Sequence, residues 1–224
     1  MVHGRGAPPP RLQRGSLNGD RIYSTRGFMM KRYDCLKLLA PLVDEHMLTV
    51  TSLSSNTAFW SDLRREGVNF FGCNMGLCIP FALGLSAAFP RRKVIALDSD
   101  GSLMIDTSSL ITVADVNPPN FVAIVMDNGS YARMGSTFTA RKTDLEKIAQ
   151  GAGIAKTGTV RGEEALAAAV KHALETSGPH FIVAKVEPDM VRVKGDPHRT
   201  YGRAMREWFL DAVRRHPDYQ QARK

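Results

Sequence analysis

The stretch "KVIALDSDGSLMIDTSSLITVADVNPPNFVAIVMDNGSY", residues 93–131, decides the fold. Its two apolar runs, 93–98 and 121–127, are typical of strands buried on both faces of a parallel sheet. A helical pattern at 108–116 connects them, so the stretch predicts one strand, helix, strand crossover. Both strands then end at the same edge of the sheet, and an acidic turn follows each of them. Costly negative charge is therefore concentrated at one edge, which indicates a bound cation.

The two turns read Asp98-Ser99-Asp100-Gly101 and Asp127-Asn128-Gly129. Ligands of open parallel sheets bind beyond the carboxyl ends of the strands. Asp100 and Asn128 supply a carboxylate and an amide oxygen, which suit a hard cation such as Mg²⁺. Gly101 allows close approach of the backbone, and Ser102 begins a segment leading into the helix, which favours a phosphate. The edge is thus predicted to bind a phosphorylated ligand through Mg²⁺. Alone, Asp100-Gly101 reads as an ordinary strand-to-helix turn with an N-cap, and it is the placement of Asn128-Gly129 and of Met75-Gly76 that favours a binding site.

Strands alternate with helices over most of the chain, which predicts a three-layer, doubly wound, mostly parallel α/β sheet with helices on both faces. Thr143 and Glu146 have the spacing of a capping box at the start of one helix. The other predicted strands are Leu48–Ser52 and His180–Val186, and the other predicted helices are Tyr33–Glu45, Gly76–Phe89, Thr143–Ala152, Glu163–Thr176 and Arg203–Arg214.

The net charge of +8 resides in the two ends of the chain, because residues 33–191 have a net charge of −3. We therefore predict a disordered basic N-terminal extension over 1–30, one folded domain over 31–190, and a basic C-terminal extension with a helix over 191–224. No aromatic residues interleave the basic ones, so no specific nucleic-acid partner is expected. No apolar run is long enough for a membrane span. Three cysteines without C-x-x-C spacing argue against disulfides and clusters and favour a cytoplasmic location.

The motif D-G-S, a spacer of 24 residues and D-N-G resembles the thiamin diphosphate motif of the enzymes that use this cofactor. The resemblance extends over residues 34 to 188 and includes the upstream G-x-x-M-G turn. It implies Mg²⁺ bound by Asp100, Asn128 and the backbone carbonyl of Ser130. It also implies that Met75 bends the cofactor, although Met75 by itself reads as a core residue. The other residues expected at the cofactor are Gly76, Ser99, Gly101, Ser102 and Tyr131.

Two positions depart from the family pattern, since Ser99 replaces a glycine and Asp127 replaces an asparagine. The form D-N-G-S-Y is similar to small two-subunit decarboxylases of the sulfopyruvate and phosphonopyruvate type. Of their downstream S-T-G-G-Q-x-T pattern, only Gly135 and Thr139 remain here. Arg133 is a candidate for binding an anionic group of the substrate, with a solvated loop arginine as the alternative.

Enzymes of this family need a second domain, which binds the aminopyrimidine and supplies the glutamate that activates it. The chain has room only for the diphosphate-binding domain, so the resemblance implies a hetero-oligomer with an alpha-type, pyrimidine-binding partner. No catalytic residue is assigned to this chain, and the expected reaction is decarboxylation of a small 2-oxoacid. Two alternatives stay open. One is the beta subunit of a thiamin diphosphate-dependent 2-oxoacid oxidoreductase, and the other is a non-catalytic scaffold subunit of the same fold.

Overall fold

The computed structural model describes residues 30–189, 201–216 and 219. Within them, six parallel strands form one sheet in the order β2-β1-β3-β4-β6-β5. The strands are β1 (Leu48–Ser52), β2 (Val68–Cys73), β3 (Val94–Ser99), β4 (Phe121–Asp127), β5 (Lys156–Val160) and β6 (His180–Lys185).

Helices cover both faces of the sheet, which confirms the predicted three-layer fold. The helices are α1 (Arg32–Leu39), α2 (Ser55–Leu63), α3 (Cys78–Ala88), α4 (Asp100–Leu103), α5 (Ser109–Val116), α6 (Leu145–Gly151), α7 (Glu163–Glu175) and α8 (Gly202–Arg215). Helix α1 packs against α2 and α7, whereas α3 packs against α5. The central strands β3 and β4 are buried along almost their whole length. Their register pairs Ser99 with Met126, so the two acidic turns begin side by side.

Two strands and two helices escaped the sequence-based prediction. Strand β5 reads Lys-Thr-Gly-Thr-Val and is only partly buried at the edge of the sheet, so it carries no run of apolar residues. Strand β2 is interrupted by Gly72 and lies at the opposite edge. Helix α2 has a weakly amphipathic sequence, and α4 is a single turn of four residues. Local pattern is a weak guide to elements of these kinds.

All six predicted helices differ from the observed ones in at least one boundary, and two of the differences have a clear physical cause. Helix α1 ends at Leu39 and continues as a 3-10 turn over Ala40–Leu42, since Pro41 cannot continue the hydrogen bonding of an α-helix. The predicted capping box is wrong, because the side chain of Asp144 caps α6 by accepting from the Lys147 backbone N–H at 3.2 Å. Glu146 instead accepts a hydrogen bond from the Thr159 hydroxyl at 2.5 Å.

The C-terminal helix α8 packs against the edge strand β2. Phe209 lies in edge-to-face contact with Phe70, with 5.2 Å between ring centroids. Met205 and Val213, on the same face of α8, are also buried. Residues 1–29 and 190–200 lie outside the described residues, so the predicted domain boundaries stay predictions. Within the described part of the chain, no helix combines the length and the apolar character needed to cross a membrane.

Candidate functional site

A cavity of about 190 Å³ opens at the carboxyl edge of the sheet. Segments that follow five of the six strands contribute to its wall, which is the location that a doubly wound sheet favours for ligands. The residues that line it are Arg32, Leu53, Ser54, Ser55, Met75, Ser99, Asp100, Gly101, Ser102, Asn128, Ser130, Tyr131, Ala132, Met134 and Asp189.

Asp100 is the first residue of α4, and its side chain is buried at the base of this cavity. Its Oδ2 atom accepts hydrogen bonds from the hydroxyls of Thr137, at 2.7 Å, and Thr139, at 3.0 Å. Its Oδ1 atom is buried and has no hydrogen-bond partner among the described residues. Burial raises the pKa of Asp100, and the nearby charge of Asp127 raises it further. A buried carboxylate oxygen without a partner is costly, and a cation would compensate it.

The amide of Asn128 has a defined orientation at the end of β4. Its Oδ1 atom accepts from the backbone N–H of Ser130 at 3.0 Å, and its Nδ2 atom donates to Asp189 Oδ1 at 3.0 Å. The backbone N–H can only donate and the carboxylate can only accept, so the reversed amide would satisfy neither partner. Asn128 therefore holds its oxygen on the side of Ser130.

The acidic side chains near the cavity are not all balanced by cations. Asp127 forms an ion pair with Lys185, and Asp189 forms one with Arg32. Asp98 is completely buried, and burial raises its pKa to about 6. Neither Asp98 nor Asp100 has a basic partner in the described ion pairs. Of these four carboxyl groups, two therefore have no basic partner among the described ion pairs.

A tight loop returns the chain from the end of β4 to Asp100. Gly129 has a positive φ of 64°, and its carbonyl accepts from the Thr137 backbone N–H at 2.9 Å. The Tyr131 backbone N–H donates to the carbonyl of Gly135 at 2.8 Å. These bonds place Thr137 and Thr139 below the carboxylates. The Thr139 hydroxyl lies 2.8 Å from Asp127 Oδ1 as well as 3.0 Å from Asp100 Oδ2, and its single proton can serve only one of the two at a time.

The residues predicted to contact the cofactor pack closely on one another. Gly76, with a φ of 81°, donates its backbone N–H to Ser102 Oγ at 3.1 Å. The ring of Tyr131 lies against Gly101, where an added Cβ atom would be only 2.5 Å from Tyr131 Cε1. Glycine is therefore required at position 101 for the tyrosine to occupy this place.

Two residues of the cavity wall have a backbone conformation that side chains rarely adopt. Ser54 has a φ of 74° and Ala132 a φ of 54°. Such conformations are costly for residues other than glycine and are concentrated at functional sites. Their position on either side of the cavity supports a functional role for it independently of any motif.

The structure brings nearly all the predicted site residues together. Met75, Ser99, Asp100, Gly101, Ser102, Asn128, Ser130 and Tyr131 line the cavity, and Gly76 contacts Ser102 behind it. The roles assigned to them stay predictions. The side chain of Arg133 lies outside the described residues.

Several site residues were missed by sequence reasoning. Arg32 and Asp189 lie 157 positions apart, and no local pattern joins them. Thr137 offers no signal of its own, although Thr139 belongs to the downstream pattern considered above. The described residues contain no group of three or more His, Cys, Asp or Glu side chains arranged for a metal. A metal here would therefore depend on amide and backbone oxygens besides the carboxylate of Asp100.

Comparison with known proteins agrees with this geometry. The family described as "Thiamine pyrophosphate enzyme, C-terminal TPP binding domain" matches residues 55–184. Sulfopyruvate decarboxylase subunit beta of Methanococcus maripaludis is 35% identical over 161 residues, which cover 71% of this chain and 85% of that protein. Phosphonopyruvate decarboxylase of Streptomyces viridochromogenes is 30% identical over 166 residues, which cover 73% of this chain and 41% of that protein.

A solved structure shows the same fold. The thiamine diphosphate-dependent 4-hydroxybenzoylformate decarboxylase of Rhodococcus jostii RHA1 superimposes with a TM-score of 0.62 at 26% identity, over 75% of this chain and 34% of that one. The family match covers more than half of the chain and includes both acidic turns. The chain therefore belongs to the thiamine pyrophosphate enzymes and carries their C-terminal, cofactor-binding domain.

Proposed function

We propose that the chain is the diphosphate-binding subunit of a two-subunit, thiamin diphosphate-dependent 2-oxoacid decarboxylase. The names of the similar sulfopyruvate and phosphonopyruvate decarboxylases support this reaction class. The single observation that carries the proposal is the buried, unpartnered Oδ1 atom of Asp100 in the wall of a cavity that Asn128 also lines.

The residues present fit a magnesium ion. Asp100 Oδ1, the side-chain oxygen of Asn128 and the backbone carbonyl of Ser130 form an all-oxygen set, which Mg²⁺ prefers. The uncompensated charge of the carboxyl groups also favours a divalent cation. Asp127 need not be a ligand, because Lys185 already neutralises it.

The chain's own residues would bind and orient the cofactor. Gly101 and Ser102 would face the diphosphate from the cavity wall, in which Met75 also lies, and Gly76 would support Ser102 from behind. When bound, the thiazolium ring supplies the electron sink that lets a 2-oxoacid lose carbon dioxide. The chain would anchor the cofactor in one orientation, so that the substrate meets it in the geometry that the reaction requires.

The glutamate that activates the cofactor would come from an alpha-type, pyrimidine-binding partner. Exposed apolar side chains near the cavity support such a partner: Leu77 is 51% exposed, Ile105 61% and Met134 85%. Met134 lines the cavity itself, and Ile105 lies directly beside Gly76. A partner that covers them would exclude water from the reaction as well as complete the site.

The substrate would be a small 2-oxoacid with a second anionic group, as in the similar decarboxylases. Arg133 is the candidate for binding that group, because its backbone lies in the 3-10 turn Ala132–Met134 beside the cavity. A guanidinium matches a sulfonate, phosphonate or carboxylate through two parallel hydrogen bonds.

The test is calorimetric titration of thiamin diphosphate with MgCl₂ into the full chain, alone and co-purified with its partner. We expect binding that tightens with the partner and is lost in Asp100→Asn, which keeps the size of the side chain but removes its charge. Asp115→Asn, an exposed position on α5, is the matched control and should bind normally. Equal binding by the wild type and Asp100→Asn would refute the metal assignment.

A further inference from the structure

The amide of Asn128 is oriented by a residue that no motif of the sequence includes. A metal requires the oxygen of an asparagine side chain, yet the two ends of an amide are almost equal in shape. At Asn128 the ends are distinguished by Asp189, which accepts from Nδ2 at 3.0 Å. Asp189 is an acceptor only, so it excludes the orientation that would turn the oxygen away from Ser130.

Asp189 is itself held rigidly by Arg32. Arg32 Nε donates to Asp189 Oδ2 at 2.9 Å, and a terminal nitrogen of the same guanidinium donates to Oδ1 at 3.1 Å. Two parallel bonds of this kind fix geometry as well as supply energy. Arg32 is 5% exposed and Asp189 13% exposed, so water competes little for either group.

The same arginine connects the two strands that carry the candidate metal ligands. Its other terminal nitrogen donates to Asn56 Oδ1 at 2.7 Å. Asn56 in turn donates to the backbone carbonyls of Asp98, at 2.8 Å, and Leu97, at 3.2 Å. These carbonyls belong to the end of β3, two and three residues before Asp100. A continuous series of hydrogen bonds between protein groups therefore connects the end of β4 with the end of β3.

Backbone contacts keep Arg32 and Asp189 together despite their distance in sequence. The Glu187 backbone N–H donates to the carbonyl of Met30 at 2.9 Å, and Met30 pairs with Val186 as in a parallel sheet. The Val186 backbone N–H donates to the carbonyl of Asp127 at 3.0 Å, next to Asn128. The segment before α1 and the segment after β6 thus form one support behind the site.

We propose that Arg32 and Asp189 are positioning residues that direct the side-chain oxygen of Asn128 toward the metal. The inference rests on the proposed function, because it takes Asn128 as a ligand of Mg²⁺. Neither residue is proposed to touch the metal or the cofactor. Partners of this kind behind a metal ligand commonly change metal affinity when they are replaced.

The first test replaces Asp189 by asparagine in the full chain co-purified with its partner. An amide at position 189 can donate as well as accept, so it no longer excludes the reversed orientation of Asn128, which only the Ser130 backbone N–H then opposes. We expect the apparent Kd for MgCl₂, titrated at a fixed saturating thiamin diphosphate concentration, to rise about tenfold or more. Glu187→Gln is the matched control, because it neutralises an exposed carboxylate two residues away and should leave the Kd unchanged.

A second pair of variants separates orientation from general damage. In Asn128→Asp the side chain presents an oxygen at both ends, so its function as a ligand no longer depends on Asp189. We expect Asp189→Asn to weaken Mg²⁺ binding in the wild-type background and not in the Asn128→Asp background. Equal weakening in both backgrounds would mean that Asp189 acts only by stabilising the fold, and the inference would be wrong.

The outcome also distinguishes this inference from the proposed function. If Asp100→Asn abolishes Mg²⁺ binding while Asp189→Asn leaves it unchanged, the metal site stands and the positioning role is refuted. If Asp100→Asn has no effect, the proposed function fails, and the inference with it. Should Asp189→Asn not fold, Arg32→Lys takes its place, because it keeps the charge and loses the double hydrogen bond. An unchanged Kd in a folded Arg32→Lys protein then counts against the inference.

Discussion

Lys185, the last residue of β6, forms an ion pair with Asp127, the last residue of β4. Asp127 is 2% exposed and stands where the family pattern has an asparagine. The register of the two strands places Asp127 and Lys185 directly opposite each other. The lysine therefore allows a carboxylate to replace a neutral side chain next to a cation site without leaving a buried charge uncompensated.

Replacement of Lys185 by methionine should destabilise the protein by about 3 kcal/mol, because Asp127 would keep a buried charge without a partner. Urea denaturation measures the change. The double variant Lys185→Met with Asp127→Asn should recover most of the loss, since it removes both charges. Lys171→Met, at an exposed pair with Glu175, is the control and should change stability by less than about 0.5 kcal/mol. A double variant no more stable than Lys185→Met would contradict this account.

Gly101→Ala should displace the ring of Tyr131, because the new Cβ atom would lie 2.5 Å from Tyr131 Cε1. We expect a loss of about 1–3 kcal/mol in unfolding free energy together with weaker thiamin diphosphate binding. Denaturation and calorimetry provide the two measurements. Gly84→Ala in α3 is the control, since nothing lies within 4 Å of its added Cβ atom, and it should be neutral or stabilising. Normal binding by Gly101→Ala would show that the tyrosine ring moves without consequence.

Asp98 predicts a pH-dependent difference in stability. Burial raises its pKa from 3.8 to about 6, so the folded chain holds the proton more tightly than the unfolded chain does. The protonated Asp98 therefore stabilises the folded chain fully below pH 3.8. This stabilisation is lost as the pH rises through about 6, because the buried side chain then becomes charged. Without added metal, Asp98→Asn should be more stable than the wild type at pH 8 by up to ~3 kcal/mol. The advantage should shrink toward pH 4.5, and an advantage that does not vary with pH would argue against a buried charge.

Phe209→Ala should reveal whether α8 is part of the folded core. Phe209 is 5% exposed and contacts Phe70, so its truncation should cost about 3 kcal/mol or more in unfolding free energy. Leu210→Ala, the next residue and 45% exposed, is the control and should have little effect. A single unfolding transition shifted in Phe209→Ala would make α8 part of the same cooperative unit. An unchanged transition would instead leave α8 as a separate extension.

The central strands and the two acidic turns were predictable because buried parallel strands leave a strong local signal. Strands β1 and β4 have the predicted boundaries, and β3 differs from its prediction by one residue at each end. Edge strands leave no such signal, since β5 is half exposed and polar. The resemblance of the motif located Asp100 and Asn128, whose proximity follows from the crossover.

The support behind the site was not predictable from local sequence. Arg32, Asn56 and Asp189 meet only because three segments distant in sequence converge at the edge of the sheet. Thr137 reaches Asp100 because the loop after β4 folds back, with the Thr137 backbone N–H bonded to the carbonyl of Gly129. Such residues are specified by tertiary structure, and a single sequence contains no periodicity that reports them.

The position of β6 has a consequence for the synthesis of the protein. It is the last strand among the residues that the structure describes, yet it lies inside the sheet between β4 and β5. The candidate site includes Asp189, four residues beyond the end of this strand. A nascent chain therefore cannot assemble the site until the ribosome has released almost the whole domain. An incomplete chain that ends before Asp189 would therefore have no finished pocket for thiamin diphosphate.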